Sequence, residues 1–287
     1  MPNSAIRLYV PNYFYKVGLE RMLKVRLEGM ALPSQVNHAL GSELSGADGF
    51  IAGIEALHSG EIDALACSGR HLPLKLPAGL NIAGALFGSS RNMAVTGDAS
   101  HPDFFYCSDL TGTIAYQNAF PSAIRLGGYN HAPQAGTGVS VHRLLSQSEL
   151  DLTGVSESQY RLLDWLVPHP GAGLWVLLTL RRRVEKKWPL LAISDPLALL
   201  VLKMERRIAR YLEKKHRLYS GVQLIPDAKG NRMNLRVCIP SSDQNKSFHY
   251  STSIPFQHVD KWVEKALEEM EVMGVHRHTR RAFVHYS

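Results

Sequence analysis

The sequence has little cysteine and none of the common catalytic signatures. Its three cysteines, Cys67, Cys107 and Cys238, form no CxxC pair, which favours a reducing compartment over a disulfide-stabilised secreted fold. It contains no P-loop, no GxGxxG after a strand, no GxSxG and no HExxH, so the enzyme classes that those motifs mark are not indicated. The 13 histidines are scattered, and the sequence predicts no metal site.

Long apolar runs are missing as well. The longest, near residues 174–180, is too short to span a bilayer. The N-terminus lacks the basic start and apolar core of a signal peptide. We therefore expect a cytoplasmic protein with no membrane partner.

The composition is that of a globular protein with more basic than acidic residues. At 287 residues the chain is too long for one small core, so two or three domains are expected. The net charge of +7 suits a small anionic molecule or a weak nucleic-acid contact and establishes neither. The basic run at residues 181–187 follows an apolar segment and predicts a solvated turn or helix face, so nucleic acid is not an expected partner.

Residues 49–82 carry the clearest local pattern. A helical face that ends at Gly60 is followed by an apolar run at residues 62–67, which predicts a helix, a turn and a buried strand. The strand ends in Ser68-Gly69-Arg70-His71. Because ligands bind at the carboxyl ends of strands in open α/β sheets, this turn is a candidate site.

Periodicity elsewhere predicts further strands and helices. The predicted strands are residues 5–10, 81–86, 124–126, 149–152, 173–179, 220–225, 233–239 and 248–253, with a weaker one in 30–45. The predicted helices are residues 17–27, 156–166, 197–212 and 259–273. Residues 97–138 are rich in Gly, Pro and Ser and predict short strands or loops.

Several motifs resemble porphobilinogen deaminase (hydroxymethylbilane synthase). The residues in register are Gly49-Phe50, Gly60-Glu61-Ile62-Asp63, Ser68, Pro73 and Leu76-Pro77-Ala78-Gly79-Leu80, together with Met204-Glu205-Arg206 after Asp195. The resemblance implies an α/β fold of two periplasmic-binding-protein-like domains with a cleft between them, plus a small C-terminal α+β domain. The implied boundaries are 1–97, 98–188 and 189–287.

The chain departs from that family at the residues that carry its chemistry. His71 stands at the position of the catalytic aspartate, with Arg70 at the preceding lysine. His216 stands where the family has the cysteine that carries a covalent dipyrromethane, so no cofactor is expected. His142 and Arg143 stand at two substrate-binding arginines, which in the family follow a turn that opens a helix. Standard four-unit synthesis is therefore not expected.

Two hypotheses follow for the function. The first is a divergent porphobilinogen deaminase-like transferase that binds a pyrrole-like or other small anionic substrate in the interdomain cleft. In it His71 is the acid/base, and Ser68, Arg70, His142 and Arg143 bind the substrate. The second is a non-catalytic ligand- or partner-binding paralogue on the same scaffold.

Each singled-out side chain also has a purely structural alternative. His71 could be a loop histidine satisfied by a backbone carbonyl, and Arg143 a solvated helix arginine. For His216 we favour an exposed helix-end residue, where a cation suits the helix dipole. The sequence leaves the oligomeric state open.

Overall fold

The computed structural model describes residues 7–10, 46–88, 92–97, 101–107, 109–126, 139–146, 155–183, 190–227, 231–241 and 247–278. The chain divides into two compact units: Met1–Ser89 with Gly173–Leu202, and Ser90–Ala172 with Lys203–Ser287. No helix in the described ranges is long and apolar enough to cross a membrane. The predicted three-domain boundaries stay a prediction.

Helices and strands occur in both units. The strands are β1 Leu8–Tyr9, β2 Ala64–Ser68, β3 Leu80–Phe87, β4 Met93–Thr96, β5 Phe104–Cys107, β6 Ile124–Arg125, β7 Val141–Ser146, β8 Tyr160–Leu162, β9 Leu174–Leu180, β10 Gly221–Pro226, β11 Arg232–Ile239 and β12 Phe248–Pro255. The helices are α1 Gly46–Ser59, α2 Leu110–Ala119, α3 Pro196–His216 and α4 Val259–Val272. Short 3-10 turns cover Gly69–His71, Glu157–Gln159 and Val275–His278.

The first unit is built on a four-stranded sheet with the order β1-β2-β9-β3. β2 runs parallel to β1, whereas β9 lies antiparallel between β2 and β3. Every residue of β2 and β9 is buried, which explains why both read as continuous apolar runs. One face of the sheet packs into a core with Leu190 and Ile193 from the segment that precedes α3.

The Gly60–Asp63 motif holds this sheet together. Gly60 ends α1 with φ +84, and its carbonyl accepts a hydrogen bond from Arg7 Nη2 at 2.8 Å. The Asp63 carboxylate accepts the Arg7 backbone N–H at 3.0 Å, Arg7 Nε at 3.2 Å and Arg183 Nη1 at 2.8 Å. The motif thus joins residues that precede β1 and follow β9.

The second unit contains a five-stranded sheet with the order β6-β5-β7-β4-β8. β5 runs parallel to β6 and β7, and β4 lies antiparallel between β7 and β8. α2 packs on this sheet through Ala115 and Tyr116, which join a core with Phe105 and Leu144. Each α/β sheet therefore includes one antiparallel strand beside its parallel ones, β9 in the first and β4 in the second.

The rest of the second unit is an antiparallel sheet, β10-β11-β12, with α3 and α4. Glu205 of α3 is fully buried. Its carboxylate accepts the backbone N–H of Gly171 at 2.8 Å and of Leu224 at 2.6 Å. The glutamate of the Met204-Glu205-Arg206 motif thus ties α3 to the segment before β9 and to β10.

The fold differs from the sequence-based prediction in three places. Leu110–Ala119 is a helix where short strands or loops were expected. Val141–Ser146 is a strand and not the start of a helix. The predicted helix at residues 156–166 is a 3-10 turn followed by β8. The elements predicted at residues 17–27, 30–45 and 149–152 lie outside the described residues.

Candidate functional site

The carboxyl edge of the first sheet is where the structure places Ser68, Arg70 and His71. β1 and β2 are parallel, and both β2 and β3 are antiparallel to β9. The carboxyl ends of β1, β2 and β3 therefore lie at one edge. Ligands of open α/β sheets bind at such edges, so the predicted turn is in the right place for a binding site.

The turn itself is short and well anchored. Ser68 is 6% exposed and pairs with Trp175 of β9. Gly69–His71 forms one 3-10 turn, closed by a hydrogen bond from the Leu72 N–H to the Gly69 carbonyl at 3.1 Å. Leu72 is fully buried, so the turn is fixed on the core while Arg70 and His71 stay partly exposed.

Arg70 and His71 contact each other. Arg70 Nε donates to His71 Nε2 over a long 3.4 Å. Arginine has donors only, so this contact requires an unprotonated Nε2 and a neutral imidazole. His71 in this state can accept a hydrogen bond at Nε2 but cannot donate from that atom. Its acid/base role stays a prediction.

The start of β9 adds a second chain segment to this edge. Gly88, just after β3, donates its N–H to the Gly173 carbonyl at 2.9 Å. Trp175 follows in β9 and is 5% exposed. The edge is therefore lined by the turn after β2 and by the closely paired backbones at Gly88 and Gly173.

His142 and Arg143 belong to the other unit and lie near the amino end of β7. His142 is 1% exposed, and its Nδ1 is in hydrogen-bond contact with Tyr116 Oη. Burial raises the pKa of Tyr116 above its ordinary value, so the hydroxyl stays protonated and donates. Because His142 is enclosed between β7 and α2, it serves the packing of this sheet.

His216 is not the exposed helix-end residue that we favoured. It is 8% exposed, and its Nε2 lies 2.6 Å from Glu271 Oε1. The same oxygen accepts from Tyr211 Oη at 2.8 Å and contacts Lys215 Nζ at 2.9 Å. Burial alone would raise the pKa of Glu271, but the hydrogen bonds from His216, Lys215 and Tyr211 outweigh it and lower the pKa to about 2.

The covalent dipyrromethane does not fit these residues. The family's cysteine position holds His216, which is bound to Glu271. Cys67, Cys107 and Cys238 form no disulfide and are buried, and burial raises the pKa of Cys238 to about 12. A thiol that stays protonated is a poor nucleophile. Within the described ranges, no three His, Cys, Asp or Glu residues are grouped so that they could hold a metal ion.

Sequence reasoning missed the turn after β5 in the second sheet. Asp109 lies there at the start of α2, where Oδ1 accepts the Gly112 N–H at 2.7 Å and Oδ2 accepts the His169 N–H at 2.8 Å. An aspartate directly after the apolar strand β5 is a helix-start signal that would have found it. Both carboxylate oxygens are used, so Asp109 is a structural anchor.

Comparison with known proteins gives distant structural similarities. No protein-family model matches the chain, and neither does any curated protein. The chain resembles YhfZ from Shigella flexneri (17% identity, 72% of this chain and 97% of that chain, TM-score 0.38). It also resembles a TRAP periplasmic solute-binding protein from Pseudomonas aeruginosa with bound L-malate (16%, 74% and 89%, TM-score 0.42). A third is an ABC-transporter periplasmic substrate-binding protein from Coxiella burnetii (13%, 69% and 96%, TM-score 0.43).

These findings bear on three predictions. The predicted α/β fold class is confirmed by the sheets and helices of both units. The predicted porphyrin-synthesis transferase is not supported, since no family model or curated protein matches and the similar solved structures include solute-binding proteins. The predicted cytoplasmic location is not supported either, since those two solute-binding proteins are periplasmic. The burial of His142 and the Glu271 contact of His216 give a physical reason against the transferase.

Proposed function

We propose that this chain is a binding protein for a small anionic molecule, which it holds at the turn Ser68-Gly69-Arg70-His71. The observation that carries the proposal is Arg70, a partly exposed guanidinium on an anchored turn at the carboxyl edge of a sheet. A guanidinium presents paired donors that match a carboxylate or phosphate. His71 lies beside it, and its Nε2 accepts a hydrogen bond from Arg70 Nε at 3.4 Å.

The ligand class follows from these groups. Arg70 supplies the positive charge, and Ser68 adds a hydroxyl at the same strand end. A mono- or dicarboxylate is the simplest anion that uses both. His142 and Arg143 have no part in this proposal, because His142 is enclosed in the second unit and Arg143 follows it in β7.

Isothermal titration calorimetry with L-malate, succinate and inorganic phosphate tests the proposal. We expect at least one of them to bind, and the variant Arg70→Gln to weaken that binding by about tenfold or more, since a hydrogen-bonded charge pair is worth about 1.5–3 kcal/mol. The matched control is Arg125→Gln, which removes an exposed arginine of β6 in the other unit and should leave affinity unchanged.

Equal affinity of Arg70→Gln and the unmodified chain for a bound anion would refute the site. Incubation with porphobilinogen, followed by intact-mass measurement, tests the discarded alternative in the same samples. A mass increase equal to a dipyrrole would show that the chain carries the covalent cofactor after all.

A further inference from the structure

The sheet β10-β11-β12 has two chemically different faces. Successive side chains of a strand point to opposite faces. On β11, Met233, Leu235 and Val237 are buried. This apolar face lies under α4, because Tyr250, opposite Val237 in the register, donates from its hydroxyl to Glu269 Oε2 at 2.6 Å. The alternating residues therefore form a face that points away from α4.

This second face, which we term the polar sheet face, is rich in hydrogen-bonding side chains. Its polar members are the buried Gln223 together with Arg232, Asn234, Arg236, His249, Ser251 and Ser253, and the same register places Ile225, Cys238 and Pro255 on this face. One end is covered, because Gly221 approaches the Val167 carbonyl so closely that an added Cβ would lie 2.0 Å from its oxygen. The other end is open to solvent.

Within the three strands, all formal charge on the polar sheet face is positive. Strands β10, β11 and β12 contain no aspartate or glutamate. Arg232 and Arg236 form no ion pair with the described residues, whereas Arg7, Arg183 and Arg207 do. The nearby Asp227 uses Oδ1 to accept the backbone N–H groups of Asn231 and Arg232.

The two arginines are held in place with donors to spare. Arg232 donates from Nε to Ser253 Oγ at 2.8 Å and from Nη2 to the Ser253 carbonyl at 2.7 Å. Those bonds fix the plane of the guanidinium and use two of its five N–H groups. Arg236 donates to Gln223 Oε1 over 3.4 Å. Four residues apart on one strand, the two Cα atoms are separated by about 13 Å.

His249 sits beside these arginines. Burial lowers the pKa of His249, and the charge of Arg236 lowers it further. The imidazole is therefore neutral at pH 7 and adds a polar ring without extra charge.

We propose that the polar sheet face binds the phosphodiester backbone of nucleic acid. Arginine, serine and asparagine are among the side chains that contact phosphate oxygens most often. A row of donors spread over about 13 Å suits a ligand that repeats its negative charge along a chain. The overall charge of +7 favours encounter with such a polyanion. This surface is separate from Arg70, so the inference does not rest on the proposed function, and it replaces the expectation that nucleic acid is not a partner.

Fluorescence anisotropy with the full chain tests the inference. The ligands are fluorescein-labelled DNA of about 20 nucleotides, single-stranded and duplex, in about 50 to 200 mM NaCl. We expect Arg232→Gln/Arg236→Gln to weaken binding by about tenfold or more at low salt. For the single strand, the negative slope of log affinity against log salt should become shallower by about 1.4. Each of the two lost phosphate contacts contributes about 0.7.

The matched control is Lys261→Gln/Lys265→Gln. It removes the same charge from exposed positions of α4, on the other side of the same sheet, and should change affinity by less than about twofold. Far-ultraviolet circular dichroism checks that both variants are folded.

Three results would overturn the inference. The first is no anisotropy change with the unmodified chain at about 100 μM, a concentration at which even non-specific DNA binding is detectable. The second is an equal loss in the α4 control, which would assign binding to net charge alone. The third is equally tight binding of polyglutamate with the same arginine dependence, which would make the face a site for acidic peptides.

Discussion

Two pairs of arginines in this molecule, Arg7 with Arg183 and Arg232 with Arg236, have opposite surroundings. Arg7 and Arg183 converge on Asp63, whose side chain is only 4% exposed. Arg232 and Arg236 lie on a strand with no carboxylate of its own, and the Arg232 guanidinium donates to two Ser253 oxygens. The first pair joins the start of β1 to the end of β9 through Asp63. The second pair leaves its charge available at a surface.

The difference shows that a count of basic residues does not locate a binding surface. In the first unit, the charge is neutralised within the fold, because burying a carboxylate requires partners. On the polar sheet face, the arginine charges remain solvated. They carry little desolvation cost there and are available to a ligand. Removing a partner from the first pair should therefore affect folding, whereas removing an arginine from the second should affect binding.

The largest effect is expected from Asp63→Asn. This change leaves Arg7 and Arg183 without their carboxylate and places an amide among their donors. Breaking a buried pair from one side typically lowers the free energy of unfolding by about 3–5 kcal/mol. Urea unfolding should show a clear fall in midpoint. Asp260→Asn, which removes a carboxylate that is 68% exposed, is the control and should change stability by less than about 1 kcal/mol. Equal urea midpoints for the two variants would show that the Asp63 contacts stabilise the fold no more than an exposed ion pair does.

An intermediate effect is expected at Glu271, a carboxylate that is 23% exposed. Its pKa is lowered from 4.5 to about 2 in the folded chain. The stability that this provides is complete above pH 4.5 and is lost as pH falls toward 2. With allowance for solvent screening, it amounts to about 2 kcal/mol.

The variant Glu271→Gln isolates that contribution. Urea midpoints measured from pH 6 to pH 2.5 should fall less steeply for the variant than for the unmodified chain, because it lacks the titrating group. Parallel curves for the two proteins would show that His216, Lys215 and Tyr211 do not hold the carboxylate in its charged form.

Much of the first sheet was predictable because its signals are local. β2 and β9 are buried along their whole length, so each appears in the sequence as an unbroken apolar run. The turn at residues 69–71 follows β2 directly, and its position at a carboxyl edge was correctly expected. The role of Asp63 was not predictable, because its partners Arg7 and Arg183 are 56 and 120 residues away.

The second unit shows how tertiary pairing overrides a local signal. Ser156 and Gln159 form a complete capping box, a pattern that normally opens a helix. The helix stops after one turn because Tyr160, Arg161 and Leu162 pair with β4 instead. α2 was missed for the opposite reason: its sequence, with Gly112 and two threonines, has almost no apolar periodicity.

The face that carries Arg232 and Arg236 was also outside the reach of sequence patterns. All three strands were predicted, but alternation alone identifies an outward face without showing which part of it is covered. The structure supplies that information through Gly221 at the covered end and the exposed Arg232 at the other.

The smallest effect on folding is expected from Arg232→Gln/Arg236→Gln, the variant that should affect nucleic-acid binding most. Arg232 is exposed and its guanidinium donates to Ser253, and surface substitutions of this kind change the free energy of unfolding by about 0.5 kcal/mol or less. Urea midpoints should therefore match those of the unmodified chain. A fall of several kcal/mol would mean that these arginines hold the sheet together, as Arg7 and Arg183 do, and the two pairs would no longer differ in kind.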